Sequence, residues 1–184
     1  MFIVSYYSDK KLSDELSRKR GCEYIYERSN DWYRFVFVDG NFTNVQNDDL
    51  KRELIRKHTY ARWAGGGSLY GMSRYSLVLL CDESDDSDDS EKMLKQHINS
   101  IYYQMAMIVL FQRAMLLKFA EDLDELIKEF KVGRLSESLQ RKAEKLHGDF
   151  IKFINKYWFI EVTPQEQGIE MYNQWLGLVG LDKL

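Results

Sequence analysis

Gly66 to Ser73 reads G-x-x-x-x-G-M-S, one residue away from a phosphate-cradling loop. Such a loop needs a lysine at its seventh position to hold the terminal phosphates, a strand before it and a helix after it. Here Met72 stands where the lysine belongs, and Tyr70 occupies the last glycine of the alternative dinucleotide pattern G-x-G-x-x-G. The stretch therefore reads as a helix-to-strand turn in which glycines take positive φ or allow close packing. Around it lie side chains able to grip an anion: His58, Arg62, Trp63, Tyr70 and Arg74, with Tyr60 and Tyr75 beside them. Arg62 and Arg74 could take a carboxylate or phosphate bidentately if they converge. The competing expectation is that the aromatics pack and the arginines pair with local acids.

The second chemical candidate is DESDDSDDSE, Asp82 to Glu91. Oxygen ligands from Asp82, Asp85, Asp86, Asp88 and Asp89 could hold Mg²⁺ or Ca²⁺ loosely. The EF-hand spacing fails, because position 6 is Ser87 and position 12 is Met93. A solvated acidic loop is the simpler expectation. The three histidines lie far apart in sequence, neither Cys22 nor Cys81 sits in a metal or redox motif, and G-x-S-x-G is absent. These patterns nominate no catalytic residue.

Composition narrows the setting. The 184 residues carry 26 basic and 29 acidic side chains, for a net charge of −3, which is no footprint for nucleic acid. Two cysteines and no recognisable leader suit a reduced, cytoplasmic setting. Aromatics at 14% require a real core.

Periodicity then predicts the elements. FIVSYY (2–7) reads as a strand, LSDELSRKRG as a short helical turn ending at Gly21, and CEYIYER and WYRFVFVDG as two further strands of a hairpin or neighbouring pair. Asn47 to Trp63 reads as a helix capped by Asn47 or Asp48 and stopped by Gly65–Gly67. RYSLVLLCD (74–82) reads as a buried strand. From Ser90 an apolar stripe of period 3.6 runs through Ile98, Met105, Gln112, Phe119 and Leu126 to Phe130. Some 40 helical residues span about 60 Å, against a diameter near 40 Å expected from a radius of gyration of about 16 Å. The helix must protrude, bend, or break near Ala120–Asp124.

A second helix, about Leu135 to Ile160, makes an antiparallel hairpin with it. TPQE announces a third, with Thr163 as cap and Pro164 in the first turn. Its apolar side, Ile169, Tyr172, Trp175 and Leu176, runs out of chain unpartnered, so the polypeptide is expected to continue or this end to dock elsewhere. Ile101 to Phe119 is apolar enough to raise a membrane span, but Gln104, Gln112, Arg113 and Lys118 interrupt it, and it reads as a soluble helix in which Arg113 points outward, pairs with an acid or meets another subunit.

The expected class is therefore α+β: a small sheet with a flanking helix, a long antiparallel helical hairpin and a C-terminal helix. One domain is expected, divided into a strand-rich part (1–82), an acidic loop (83–91) and a helical part (92–184).

At HTYARW, GSLYGMSRYSLVLL, YYQMAMIVLFQRAMLLKF and EVTPQEQGIEMYNQW the chain resembles a family of uncharacterised bacterial proteins described as similar to the cytosolic portion of CorA-type magnesium transporters. The likeness covers most of the chain from Trp32 onward. It implies a mixed sheet flanked by helices, a helical arm leading toward a membrane segment downstream, other copies of the chain as partners, and Mg²⁺ or another divalent cation as ligand. The transporter signature G-M-N is matched only as Gly71-Met72-Ser73, with Ser for Asn and before a soluble strand, and no metal ligand can be carried over. The resulting expectation is a non-enzymatic cytoplasmic regulatory or scaffolding domain that forms homo-oligomers. The alternatives are a small anionic-ligand binding module and a stand-alone protein-interaction domain.

Overall fold

The computed structural model describes residues 2–40, 43–82, 90–132, 136–159 and 161–181. Its centre is the strand Ser76–Cys81 (β6, counting β1 Ile3–Ser8, β2 Lys19–Arg20, β3 Glu23–Tyr24, β4 Thr59–Tyr60 and β5 Leu69–Met72). All six β6 residues are buried. A continuous apolar run means that both faces of the strand are covered, and they are. Leu77 and Leu79 point into one core and Val78 and Leu80 into the other, as the two-residue alternation of a strand requires.

The sheet order is β1-β6-β5-β4. β1 runs parallel to β6 with Ile3 opposite Ser76, and β5 runs antiparallel to it with Leu69 opposite Leu80. β4 closes the other edge antiparallel, Thr59 opposite Gly71. β2 and β3 form a separate two-stranded ribbon.

Three helices, α1 (Lys10–Ser17), α2 (Asn30–Phe37) and α3 (Asp48–His58), serve the Val78/Leu80 core. The α2 stretch was expected to be a strand, on the strength of its β-branched and aromatic residues. It is a helix because tertiary burial overrides that propensity. Trp32, Tyr33 and Val36 fall on one helical side and are buried. Ser29 Oγ accepts from Trp32 N at 3.1 Å to start the helix, and Val38 in the left-handed region ends it. The expected hairpin of CEYIYER with this segment is therefore absent: Glu23–Tyr24 pairs with Lys19–Arg20, and Ile25–Arg28 forms a 3₁₀ turn.

α3 is capped by Asn47, whose Oδ1 accepts from Leu50 N at 2.8 Å, but it ends at His58 rather than Trp63. Thr59 leaves the helix to pair with β5, and its hydroxyl accepts from Trp32 Nε1 at 2.8 Å.

The glycine stretch that looked like a turn contains β5. A Cβ on Gly71 would lie 2.5 Å from Val36 Cγ2 and 3.3 Å from Trp32 Cζ2, so only glycine lets α2 settle on this strand. Gly67, at φ +79°, makes the left-handed turn into it, and its carbonyl accepts from Ser13 Oγ at 2.5 Å.

The other face of the sheet is covered by the long helix and the last one. Helix runs from Ser90 to Val132 as α4 (Ser90–His97), a π-helical turn at Ile98–Tyr102, and α5 (Tyr103–Val132). It does not break near Ala120–Asp124. Ile98, Tyr102, Met105, Ala106, Val109 and Gln112 are buried, whereas Leu123, Ile127 and Phe130 are exposed: the helix passes the core and continues beyond it. α6 (Glu137–Tyr157) returns along it. Lys142 Nζ reaches Glu129 at 2.6 Å, Phe119 meets Phe150 at 5.3 Å and Phe111 meets Tyr157 at 5.3 Å, an order that only antiparallel helices give.

α7 (Glu166–Val179) begins two residues later than the TPQE pattern predicts. Thr163 Oγ1 accepts from Gln165 N at 3.3 Å, a local turn that competes with capping, and the Thr163 methyl seats against Gly168. The open apolar side expected of α7 is closed: Met171, Tyr172, Trp175, Leu178 and Val179 all enter the Leu77/Leu79 core. Arg113 stands half-exposed, and it is its neighbour Gln112 that is buried.

Candidate functional site

The predicted anion-binding residues surround the junction of β4 with α7. Tyr60, the last residue of β4, donates its hydroxyl to one oxygen of Glu170, and Arg62 Nη1 donates to the other at 2.6 Å. The Arg62 guanidinium lies 5.8 Å from the Trp63 ring centre, a cation–π distance. One helical turn along α7, Gln174 Nε2 donates to the carbonyls of Lys57 at 2.9 Å and Thr59 at 3.3 Å. These contacts are what turns four isolated polar side chains into a clasp between strand and helix.

The electrostatics match. The Tyr60 hydrogen bond, and then Arg62, hold the Glu170 carboxyl below the usual carboxylate range. Burial, then Glu170, pushes the Tyr60 phenol up, so it stays a donor. The hydrogen bond to Glu170 raises the Arg62 guanidinium. A carboxylate already served by two donors is a poor base, and a guanidinium already paired is a poor anion receptor. An incoming phosphate at Arg62 competes with Glu170 for the guanidinium.

Arg74 does not join Arg62. Its Nε donates to the Leu178 carbonyl at 3.3 Å, eight residues along α7 from Glu170 and so about 12 Å away. Tyr70 is buried in the sheet, edge-on to Tyr60 and Tyr102, with burial pushing its phenol up. His58 spends Nδ1 on the Leu54 carbonyl at 2.8 Å and packs its ring on Phe37, and Trp63 is 49% exposed. Among the described residues the five nominated side chains thus sit along one seam, with Arg74 held apart from Arg62.

Of the acidic candidates, Asp82 is half-buried just past β6, and Asp85, Asp86, Asp88 and Asp89 lie outside the described residues. Among the described residues no group of three or more His, Cys, Asp or Glu is placed to hold a metal ion. A groove of about 550 Å³ lies on the other face of the sheet between β1 and α2. Ile3, Ser5, Tyr7, Phe35 and Val78 line it, with the 3.6 Å Arg34–Asp31 ion pair at its edge. It contains none of the nominated residues, and reading α2 as a strand hid it. Glu170 and Gln174 were missed because their partners lie more than 100 residues away in the chain; no local pattern marks such a pair.

Acid should loosen this seam. The Glu170 pKa is lower folded than unfolded, so its contribution is complete above about pH 4.5 and is lost as pH falls through the folded value. His58 is held below its ordinary 6.5, chiefly by burial, so the unfolded chain takes up its proton first and stability declines as pH drops below 6.5. Glu170→Gln should flatten the acid limb of the urea midpoint measured from pH 5 to pH 3. A slope as steep as that of the unsubstituted chain removes Glu170 from this role.

No family model matches the chain, and neither a curated protein nor a solved structure does.

Proposed function

We propose that this chain is a non-enzymatic regulatory or scaffolding domain of the cytoplasm that acts by associating with copies of itself through its helical arm. The observation that carries this reading is the run of α5 beyond the core. Leu123, Ile127 and Phe130 continue the apolar stripe after the sheet and α7 have ended, and each is at least 42% exposed. Apolar side chains kept at helical spacing in water are suited to a partner surface. The polar clasp at Glu170 supports the same reading, since it uses up the groups that would otherwise do chemistry or bind an anion.

By length and composition alone, Met93–Phe130 is also apolar enough to cross a membrane. Its first half is the floor of the sheet core, with Gln112 hydrogen-bonded to Tyr157 and Tyr172, which favours an arm in water. The place of this domain in a CorA-like, divalent-cation-related protein is proposed from the motif stretches alone.

Light scattering on the full chain tests the reading. A mass that rises above the monomer with concentration is expected, and adding Mg²⁺ shifts it if the acidic segment is a cation sensor. A strict monomer at high concentration, with and without Mg²⁺, removes self-association.

A further inference from the structure

α5 is apolar on the side it does not need. Met105, Val109 and Gln112 face the core. On the opposite side Tyr103, Met107, Phe111 and Leu117 are 46, 50, 42 and 55% exposed, with Leu110 half-buried and Ala114 exposed between them. Steps of three and four residues place these six on one stripe. Tyr157 of α6, 46% exposed, adjoins it through Phe111.

The charges at the two ends of the stripe differ. Before it, Lys95, Gln96, Asn99 and Ser100 are exposed. After it come the exposed acids Glu121, Asp124 and Glu125, of which Asp124 is paired with Lys128 at 2.5 Å. We propose that this face seats a second copy of the same chain, antiparallel, about a two-fold axis at Leu110. This deepens the self-association reading and rests on it.

In that arrangement Lys95 lies opposite the second copy's Glu125, and Asn99 opposite its Glu121. Tyr103 meets Leu117, Leu110 meets itself, and Met107 falls beside the small Ala114, one residue out of register. A two-fold interface must be self-complementary in this way. A parallel pairing stacks Glu121 on Glu121 and Glu125 on Glu125, like charges that repel. A lipid surface offers Lys95 and the acids no such pairing.

The contact is modest. Residues 95–125 span about 45 Å of a helix some 10–12 Å across, on the order of 500 Å² per copy, below the roughly 800 Å² of a standard interface. A reversible dimer at micromolar concentrations is expected, rather than an obligate one.

Disulfide trapping decides it. The full chain is used with exposed Cys22 changed to serine, Cys81 being buried, and with one new cysteine at a time. Leu110→Cys should oxidise to a linked homodimer. Tyr103→Cys and Leu117→Cys should each stay unlinked alone, yet cross-link when mixed. Met107→Glu/Leu117→Glu should raise the dissociation constant at least tenfold and leave the urea midpoint unchanged.

If all three cysteines link to themselves, the helices are parallel and the proposal falls. If none links while the chain still scatters as an oligomer, this face is not the interface, and the self-association reading survives on another surface. A strict monomer overturns both. Flotation with phosphatidylcholine/phosphatidylglycerol vesicles that the double glutamate variant abolishes makes the face a lipid-binding one, which also overturns the proposal.

Discussion

Replacing Trp175 with alanine is expected to lower the unfolding free energy by about 3–5 kcal/mol, the range for removing a large buried aromatic. Trp175 is 1% exposed and lies in the middle of α7. Its ring meets Phe2 at 5.8 Å, and its Nε1 donates to the Ser73 carbonyl at 3.1 Å. Truncation leaves a cavity against the sheet and strips a buried carbonyl of its donor. Domains of this size hold about 5–15 kcal/mol in total, so the variant retains little margin. Urea unfolding followed by circular dichroism reads the effect. Trp63→Ala is the control: at 49% exposure it should change stability by no more than about 0.5 kcal/mol. Equal effects from the two tryptophans contradict the docking of α7.

The second large effect is expected at Gln112→Leu, about 2–3 kcal/mol. Gln112 is fully buried in α5. Its amide donates to the Tyr157 carbonyl at 2.8 Å and the Tyr172 hydroxyl at 2.9 Å, and that hydroxyl lies 3.2 Å from the Phe159 carbonyl. Tyr157 is the last residue of α6, so its carbonyl is one of those a helix end leaves without an internal donor. One side chain thus ties α5, the end of α6 and α7 together. Leucine fills the same space but leaves the part-buried Tyr157 carbonyl and the buried Tyr172 hydroxyl without the amide, a cost of about 1–3 kcal/mol. Because the two side chains share one network, Tyr172→Phe added to Gln112→Leu should cost less than the sum of the single changes. Strict additivity, or a neutral Gln112→Leu, places Gln112 in water instead.

What was legible in the chain follows from how far each signal reaches. The long helix and its antiparallel return could be read because period 3.6 persisted over 40 residues, enough for the stripe to outweigh any one side chain. The central strand could be read because both its faces are buried. α2 could not: eight residues rich in Trp, Tyr, Phe and Val satisfy a strand template, and what makes them a helix is the Ser29 cap and the core that receives Trp32, Tyr33 and Val36. β5 was hidden by Gly71, whose reason for being glycine is Val36, 35 positions earlier. The Thr163 start was displaced by two residues because its hydroxyl had a nearer N–H to serve.

The nominated seam of His58, Arg62, Trp63, Tyr70 and Arg74 was found as a neighbourhood, since these residues flank one short strand pair. Its meaning was out of reach. Arg62 looked free until Glu170 was folded against it, and an arginine with a carboxylate at 2.6 Å is a fastening rather than a receptor.

The two cores on either side of β6 have a consequence for how the chain is made. Once Cys81 has left the ribosome, every residue of the core holding Trp32 and Ile55 has been translated. The opposite core waits for Trp175 and Val179, about 100 residues later, an interval of roughly 5–20 s at usual elongation rates. For those seconds the nascent polypeptide carries Tyr70, Met72, Leu77 and Leu79 without the helix that finally roofs them, and a chaperone or a neighbouring nascent chain meets that bare surface first.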